Sequence, residues 1–305
     1  MSTLKKVIVT GGAGFIGSNL TRALVEKGCE VNVIDNFVAG HFDDRVVTGA
    51  VYNNIDIKNT ALLTPIFVGA DAVFHLAALP KVQDSIEHPI ETFNTNVDGT
   101  LSVLEAARAT NVRKLVFSSS AAVYGDQKTM PVNEDMPAHP QNPYGLHKYI
   151  GENTCVLWSE LYDLPTVSLR YFNVYGPGFD PNGAYASVVG RFIDLRQNGK
   201  LLTIVGDGTN TRDYVHVDDV VRANIMAAES DSVGKGEVLN IGSGQETTIN
   251  QLADIIGGPI ESIESRMETS RSVSDISKAK ALLGWEPSVE LETGVNKLKK
   301  LYGVS

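Results

Sequence analysis

Tyr144-Gly-Leu-His-Lys148 sets a phenol and an ammonium four residues apart, which on a helix brings both onto one face. A tyrosine with an ordinary pKa of about 10 is a poor base at neutral pH, and a neighbouring ammonium favours its phenolate. Such a pair can take a proton from a substrate hydroxyl. The same spacing recurs in Tyr124-Gly-Asp-Gln-Lys128. There Gly125 and Asp126 interrupt a helix, whereas Pro143 and the apolar period after Tyr144 begin one, so Tyr144 and Lys148 are the preferred pair.

Hydroxyls come from Ser118-Ser119-Ser120-Ala121-Ala122-Val123-Tyr124-Gly125, at the end of an apolar run. One of these serines can hydrogen-bond a reacting oxygen; a triple serine serves equally as a polar turn.

Near the start stands Thr10-Gly11-Gly12-Ala13-Gly14-Phe15-Ile16-Gly17, between a β-branched run and a helical period. Gly11, Gly14 and Gly17 let the backbone turn tightly and approach a pyrophosphate, whose charge the N–H groups of Phe15, Ile16 and the helix start stabilise. A loop of this kind alone is also an ordinary tight turn. Here Asp35-Asn36 follows about 20 residues on, at the end of the next run, where a carboxylate accepts from both ribose hydroxyls of a dinucleotide. Asp35 would repel a 2′-phosphate and no arginine directly follows it, so NAD is expected rather than NADP. The positive nicotinamide ring would further favour the Tyr144 phenolate, and Lys148 would hold the nicotinamide ribose. Asp56-Ile57 ends a third run and can reach the adenine edge, or simply cap a turn. Leu76-Ala77-Ala78 keeps side chains small where a cofactor would cross, which close helix packing would also require.

These groups need a scaffold. Apolar runs at residues 5–10, 30–34, 50–55, 72–76, 114–118 and 166–169 read as strands alternating with helical segments, the longest at 90–110 and 143–162. That pattern predicts an α/β Rossmann fold with a doubly wound parallel sheet. After about residue 175 the chain turns Gly-, Pro- and Asn-rich, with helices expected at 216–229, 249–256, 275–283 and 291–302 and strands at 201–205 and 237–241. The expected division is residues 1–174 for NAD binding and 175–305 for substrate, some of the latter returning to the larger part.

The 305 residues carry a net charge of -10, which opposes binding to a nucleic-acid backbone. No stretch is apolar enough to cross a bilayer, the start leaves no room for a signal peptide, and the two cysteines are too few for a disulfide framework, so a cytoplasmic protein is expected. The six histidines show no metal-ligand spacing, and no metal is expected.

The glycine loop, Asp35-Asn36, His75-Leu-Ala-Ala78, Asn96-Val-Asp-Gly-Thr100, the serine run, Tyr144 to Lys148, Leu169-Arg-Tyr-Phe-Asn-Val-Tyr-Gly-Pro177, Arg212-Asp-Tyr-Val-His-Val217 and Asp275-Ile-Ser-Lys278 together resemble the extended short-chain dehydrogenase/reductases. Within them the chain is similar to the NAD-dependent nucleotide-sugar epimerases that act on UDP-glucose or UDP-N-acetylglucosamine. The resemblance implies that Ser120 is the hydroxyl beside the sugar O4, that Asn96 and Phe172 line the cofactor, that Asn173 touches substrate and that Arg212 grips the diphosphate. Arg266 matches a second diphosphate arginine, in a stretch one residue short of the usual. The segment around Val188 and the small Ser272 resemble epimerases that also accept N-acetylated UDP-hexoses. Related dehydratases and decarboxylases carry acids where Ala121 and Ala122 stand, which implies simple C4 epimerisation. Alternatives are another nucleotide-sugar enzyme of the family, a decarboxylase, dehydratase or reductase, or a non-catalytic NAD-binding regulator. The resemblance further implies a homodimer in which the two long helices form a four-helix bundle.

Overall fold

Strands covered on both faces need continuous apolar runs. In the computed structural model, which describes residues 4–38, 45–179, 188–264 and 271–304, the runs lie side by side as β1 (Lys6–Thr10), β2 (Glu30–Asp35), β3 (Ala50–Asn54), β4 (Ala72–His75), β5 (Lys114–Ser120) and β6 (Thr166–Tyr171). Short strands β7 (Val174–Tyr175), β8 (Leu202–Val205), β9 (Thr211–Arg212) and β10 (Val215–His216) follow. The chain then returns to the large sheet as β11 (Lys235–Ile241), before β12 (Thr247–Thr248) and β13 (Ile260–Ile263).

The seven-stranded sheet has the order β11-β6-β5-β4-β1-β2-β3, with every pairing parallel. Its order reverses between β1 and β4, so the carboxyl ends of these strands open a crevice, the place where doubly wound sheets bind ligands. Helices α1 (Phe15–Glu26), α2 (Thr60–Phe67), α3 (Val82–Glu87), α4 (Pro89–Phe93), α5 (Gly99–Ala109) and α6 (Pro143–Tyr162) accompany the first half. The second half adds α7 (Val188–Gln197), α8 (Val217–Glu229), α9 (Ile249–Ile256), α10 (Ser277–Leu283) and α11 (Leu291–Leu301).

One face of the sheet buries Leu20 and Leu24 of α1 against Val220 and Ala227 of α8, and the other buries Leu63 of α2, Val103 of α5 and Cys155 of α6. A separate apolar cluster joins Phe192 and Ile193 of α7, Leu202 and Ile204 of β8, Leu252 of α9 and Val295 and Leu298 of α11.

Several elements differ from the expectation. The helix read at 90–110 is broken into α4, a π turn at Asn94–Asp98 and α5. The turn lets Asn96 leave the helical row and bind the backbone of Leu79 in the loop after β4. Helix α10 begins at Ser277 because the Asp275 carboxylate accepts from the Ser277 N–H at 2.9 Å. Strand β11 starts two residues early, with a register shift between Lys235 and Glu237 where Gly236 has φ 82°. Helices α2, α3 and α7 were not foreseen, being short or set in loop-rich sequence. Among the described residues no helix is long and apolar enough to cross a membrane, and no group of three or more His, Cys, Asp and Glu side chains could hold a metal ion.

Candidate active site

Gly11 ends β1 with φ 72°, a left-handed conformation natural to glycine, and a Cβ there would stand 2.6 Å from the Ala77 nitrogen. A Cβ at Gly17 would meet the Gly11 oxygen at 2.1 Å. The chain therefore folds tightly into α1, whose N-cap Gly14 supplies no side-chain cap and whose first turn carries no acid. These N–H groups and the positive end of the helix face an open cleft, as an anionic pyrophosphate requires. The Asp35 carboxylate holds the loop, accepting from the N–H of Ala13 at 2.9 Å and of Phe37 at 2.8 Å. Burial raises its pKa against the pull of those two bonds.

The cleft runs over the carboxyl edge of the sheet. Gly11, Gly14, Phe15, Ile16, Gly17, Asp35, Asn36, Asp56, Ile57, Leu76, Ala77, Ala78 and Ser118 all line it, together with the unforeseen Val38, Lys58, Leu79, Glu91 and Thr95. A glycine cradle at a bare helix start, a carboxylate at the tip of β2 and a small-residue strand end fit a dinucleotide.

Asn96 is buried and is bonded to Leu79 of this cleft. Its side-chain oxygen accepts from the Leu79 N–H at 2.7 Å and its amide donates to the Leu79 carbonyl at 2.9 Å. The buried His75 stands behind the same loop. Thr100 donates to the Asn96 carbonyl at 2.7 Å, so its oxygen accepts from Nε2 of His75 at 2.9 Å. Nδ1 is left to accept from Thr10 at 2.7 Å. Thr10 in turn accepts from the Ala77 N–H at 3.3 Å. The network thus fixes a neutral imidazole, and burial, aided by the charge of Lys148, lowers its pKa to about 3.

Ile16 and Ser118 are shared with a second cavity. Ser120, Ala121, Ala122, Tyr144, Lys148, Phe172, Asn173, Arg212 and Ser272 line it, with Arg271 beside them. Asn142 caps α6 by accepting from the Gly145 N–H at 2.9 Å, and Pro143 occupies the first turn. Tyr144 is thereby fixed at the helix start, its N–H donating to Ser85 Oγ at 3.1 Å.

Lys148 Nζ donates to the Ser118 carbonyl at 2.7 Å and lies 5.9 Å from the centre of the Tyr144 ring. Burial lowers its pKa to about 8. Burial also pushes the Tyr144 phenol up to about 12, opposed by its hydrogen bond with Ser120. Within the protein, burial is the largest effect on the phenol and the bond with Ser120 opposes it.

Phe172 sits in the second cavity rather than the cleft, packed on Tyr124 with ring centres 6.2 Å apart. Asn173 donates to the Asp213 carbonyl at 2.9 Å. Val188 begins α7 and packs into the apolar cluster of the second body, lining neither cavity. Arg266 lies outside the described residues. Tyr124, of the competing pair, is buried and donates to Asn240 at 2.7 Å, while Lys128 is exposed.

Sequence reasoning missed three groups. Asp213 is fully buried and accepts from the N–H groups of Ser243, Gly244 and Ser274 and from both serine hydroxyls. Its place directly after Arg212 was the available signal. Arg271 forks onto Glu246 with two bonds of 2.8 Å. Glu152 of α6, one turn beyond Lys148, pairs with Arg170 of β6.

A model of the NAD dependent epimerase/dehydratase family matches residues 7–242. The chain is 40% identical to a putative UDP-glucose 4-epimerase of Methanocaldococcus jannaschii, over 96% of each chain. Among solved structures it resembles the UDP-glucose 4-epimerase of Thermotoga maritima with UDP-glucose, at a TM-score of 0.91 and 40% identity over 98% of both chains. It also resembles a UDP-N-acetylglucosamine 4-epimerase of Methanobrevibacter ruminantium in complex with UDP-N-acetylmuramic acid, at 0.92 and 34% over 99% of both.

Proposed function

Because the chain belongs to the NAD dependent epimerase/dehydratase family, we propose that it is a UDP-hexose 4-epimerase, interconverting UDP-glucose and UDP-galactose and accepting their N-acetylated counterparts. The cofactor is NAD. The observation that carries the reading is the composition of the second cavity. It brings Tyr144, Ser120 and Lys148 together with Arg212, while the positions after Ser120 are Ala121 and Ala122.

Bound NAD supplies an acceptor and donor of hydride at the sugar C4. The cleft residues from Gly11 to Ser118 hold it, with Lys148 at its nicotinamide end. Ser120 orients the sugar O4 by hydrogen bonding, and Tyr144 takes the O4 proton and later returns it. Arg212 faces the diphosphate, whose charge a guanidinium matches well, and Asn173 faces the sugar. No acid stands at positions 121 and 122 to drive elimination or to assist loss of carbon dioxide, so C4 inversion is the reaction these groups can complete.

Residues 1–174 hold NAD and much of 175–305 holds the nucleotide sugar, in a cytoplasmic homodimer. Leu157, Leu161 and Tyr162 of α6, Leu101 of α5 and Ile90 of α4 are exposed apolar side chains, which fits pairing of these helices with their copies.

The test is incubation with UDP-galactose, UDP-glucose, UDP-N-acetylglucosamine and UDP-glucuronate in turn, with NAD, followed by NMR. Interconversion at C4 of the first three is expected. Loss of carbon dioxide from UDP-glucuronate, or an unchanged mixture while NAD binds, defeats the assignment.

A further inference from the structure

The face of α6 that carries Tyr144 and Lys148 continues one turn on to Glu152, which is 2% exposed. Arg170 of β6, 4% exposed, donates to it through Nε at 2.8 Å and Nη2 at 2.7 Å, and the Ser119 hydroxyl donates to the same carboxylate. Ser119 lies between Ser118, whose carbonyl receives Lys148, and Ser120, which bonds Tyr144. The ion pair is therefore joined to the reacting groups through three consecutive residues of β5. Burying two charges is costly even when they are well paired, and neither group lines the cleft or the second cavity.

We propose that Glu152, balanced by Arg170, is a positioning residue that keeps Lys148 charged and so sets the pH above which the Tyr144–Lys148 pair stops working. The effect on turnover rests on the proton-transfer reading of Tyr144 given above; the effect on Lys148 itself does not.

Burial holds the other titratable groups around Lys148 toward their neutral forms. On its own helix the Tyr144 phenol and the Cys155 thiol are each pushed up to about 12 by burial, and His147 is lowered by burial and by Lys148. From β4, His75 titrates at about 3. From β6, Tyr171 is raised by burial to about 12. From β5 come a carbonyl, hydroxyls and the Phe117 ring, 5.0 Å from Nζ. The Glu152–Arg170 ion pair is thus the charged pair described against Lys148 from α6 and the strands it covers. Burial lowers the Lys148 pKa to about 8, and Cys155 and Glu152 oppose that lowering.

Glu152→Gln keeps the shape, removes the negative charge and leaves Arg170 as a second buried cation. Arg170→Met does the opposite and leaves the carboxylate unbalanced. The Lys148 ammonium, followed by 15N NMR of its Nζ and identified by its loss in Lys148→Met, is expected to titrate on the order of one pH unit lower in E152Q and higher in R170M. The alkaline limb of turnover should move with it. Glu152→Asp, which keeps the charge on a shorter arm, should restore the titration of the original chain even where its thermal midpoint falls. If E152Q does not fold, the upward shift in R170M carries the test.

An unmoved Lys148 titration in the folded variants, or movement of both in one direction, overturns the proposal. Opposite shifts in a protein that leaves every UDP-hexose unchanged uphold it and defeat the epimerase reading instead.

Discussion

Lys148 Nζ donates a hydrogen bond to the Ser118 carbonyl at 2.7 Å, while the Tyr144 ring centre is 5.9 Å from it. The ammonium is thus braced against the end of β5, from which Ser120 reaches the phenol. The two halves of the Tyr–Lys pair are linked through the strand. Tyr144 and Lys148 therefore have separable losses.

Replacing Tyr144 with Phe removes the proton acceptor and little else, because its backbone bond to Ser85 and the Asn142 cap of the helix remain. Turnover should fall by on the order of 10² to 10⁴, with NAD affinity within about twofold. Retention of more than about a tenth of the rate would show that another group takes the proton.

His75 makes the fold sensitive to acid. In the unfolded chain it takes up a proton as pH falls through about 6.5, whereas in the folded chain it stays neutral down to about 3. Its contribution is fully present above the unfolded value and is lost as pH falls from there toward 3. The loss is about 1.4 kcal/mol per pH unit at most. His75→Gln cannot titrate, so urea unfolding of the two proteins at pH 7 and pH 5 should show the original chain losing about 2 kcal/mol more than the variant. Equal losses would mean that the folded imidazole protonates as readily as the unfolded one.

The parts legible in the sequence were those dictated by local chain chemistry. The glycine loop, the small residues at the end of β4 and the Pro143 helix start are each required by a backbone condition within a few residues. The missed parts depend on packing between distant segments. Glu152 and Arg170 are 18 positions apart and meet only because α6 lies across β5 and β6. Asn96 was read as lining the cofactor, and a π turn brings it to the backbone of Leu79; nothing in the local apolar period signals that turn. Asp213 joins segments 30 and 61 residues away, beyond the reach of any spacing rule.

Ser272 stands in the same cavity as Ser120 and Tyr144. A small side chain there leaves volume for a bulky substituent on the sugar, and a large one would take it. Ser272→Tyr should reduce kcat/KM for UDP-N-acetylglucosamine by at least about tenfold while changing that for UDP-glucose by less than about threefold. Equal losses for both sugars would place Ser272 away from the acetamido group.

Asp213 ties the substrate wall together. Its two oxygens accept from Ser243 N–H at 2.6 Å, Gly244 N–H at 3.1 Å and Ser274 N–H at 2.9 Å, and from the hydroxyls of both serines. Its own carbonyl holds Asn173 at 2.9 Å, and Arg212 precedes it in the chain. Ser274 in turn carries Ser272 and Arg271 two and three residues upstream. One buried carboxylate therefore sets the mutual positions of four residues lining the cavity. Asp213→Asn turns one acceptor into a donor facing donors, at a cost of about 1–3 kcal/mol, and should loosen that wall selectively. KM for the UDP-sugar should rise about tenfold or more. NAD affinity should stay within about twofold, because none of the groups bonded to Asp213 lines the dinucleotide cleft. If NAD binding and sugar binding weaken together, Asp213 supports the whole fold; if KM is unchanged, the wall holds its shape without it.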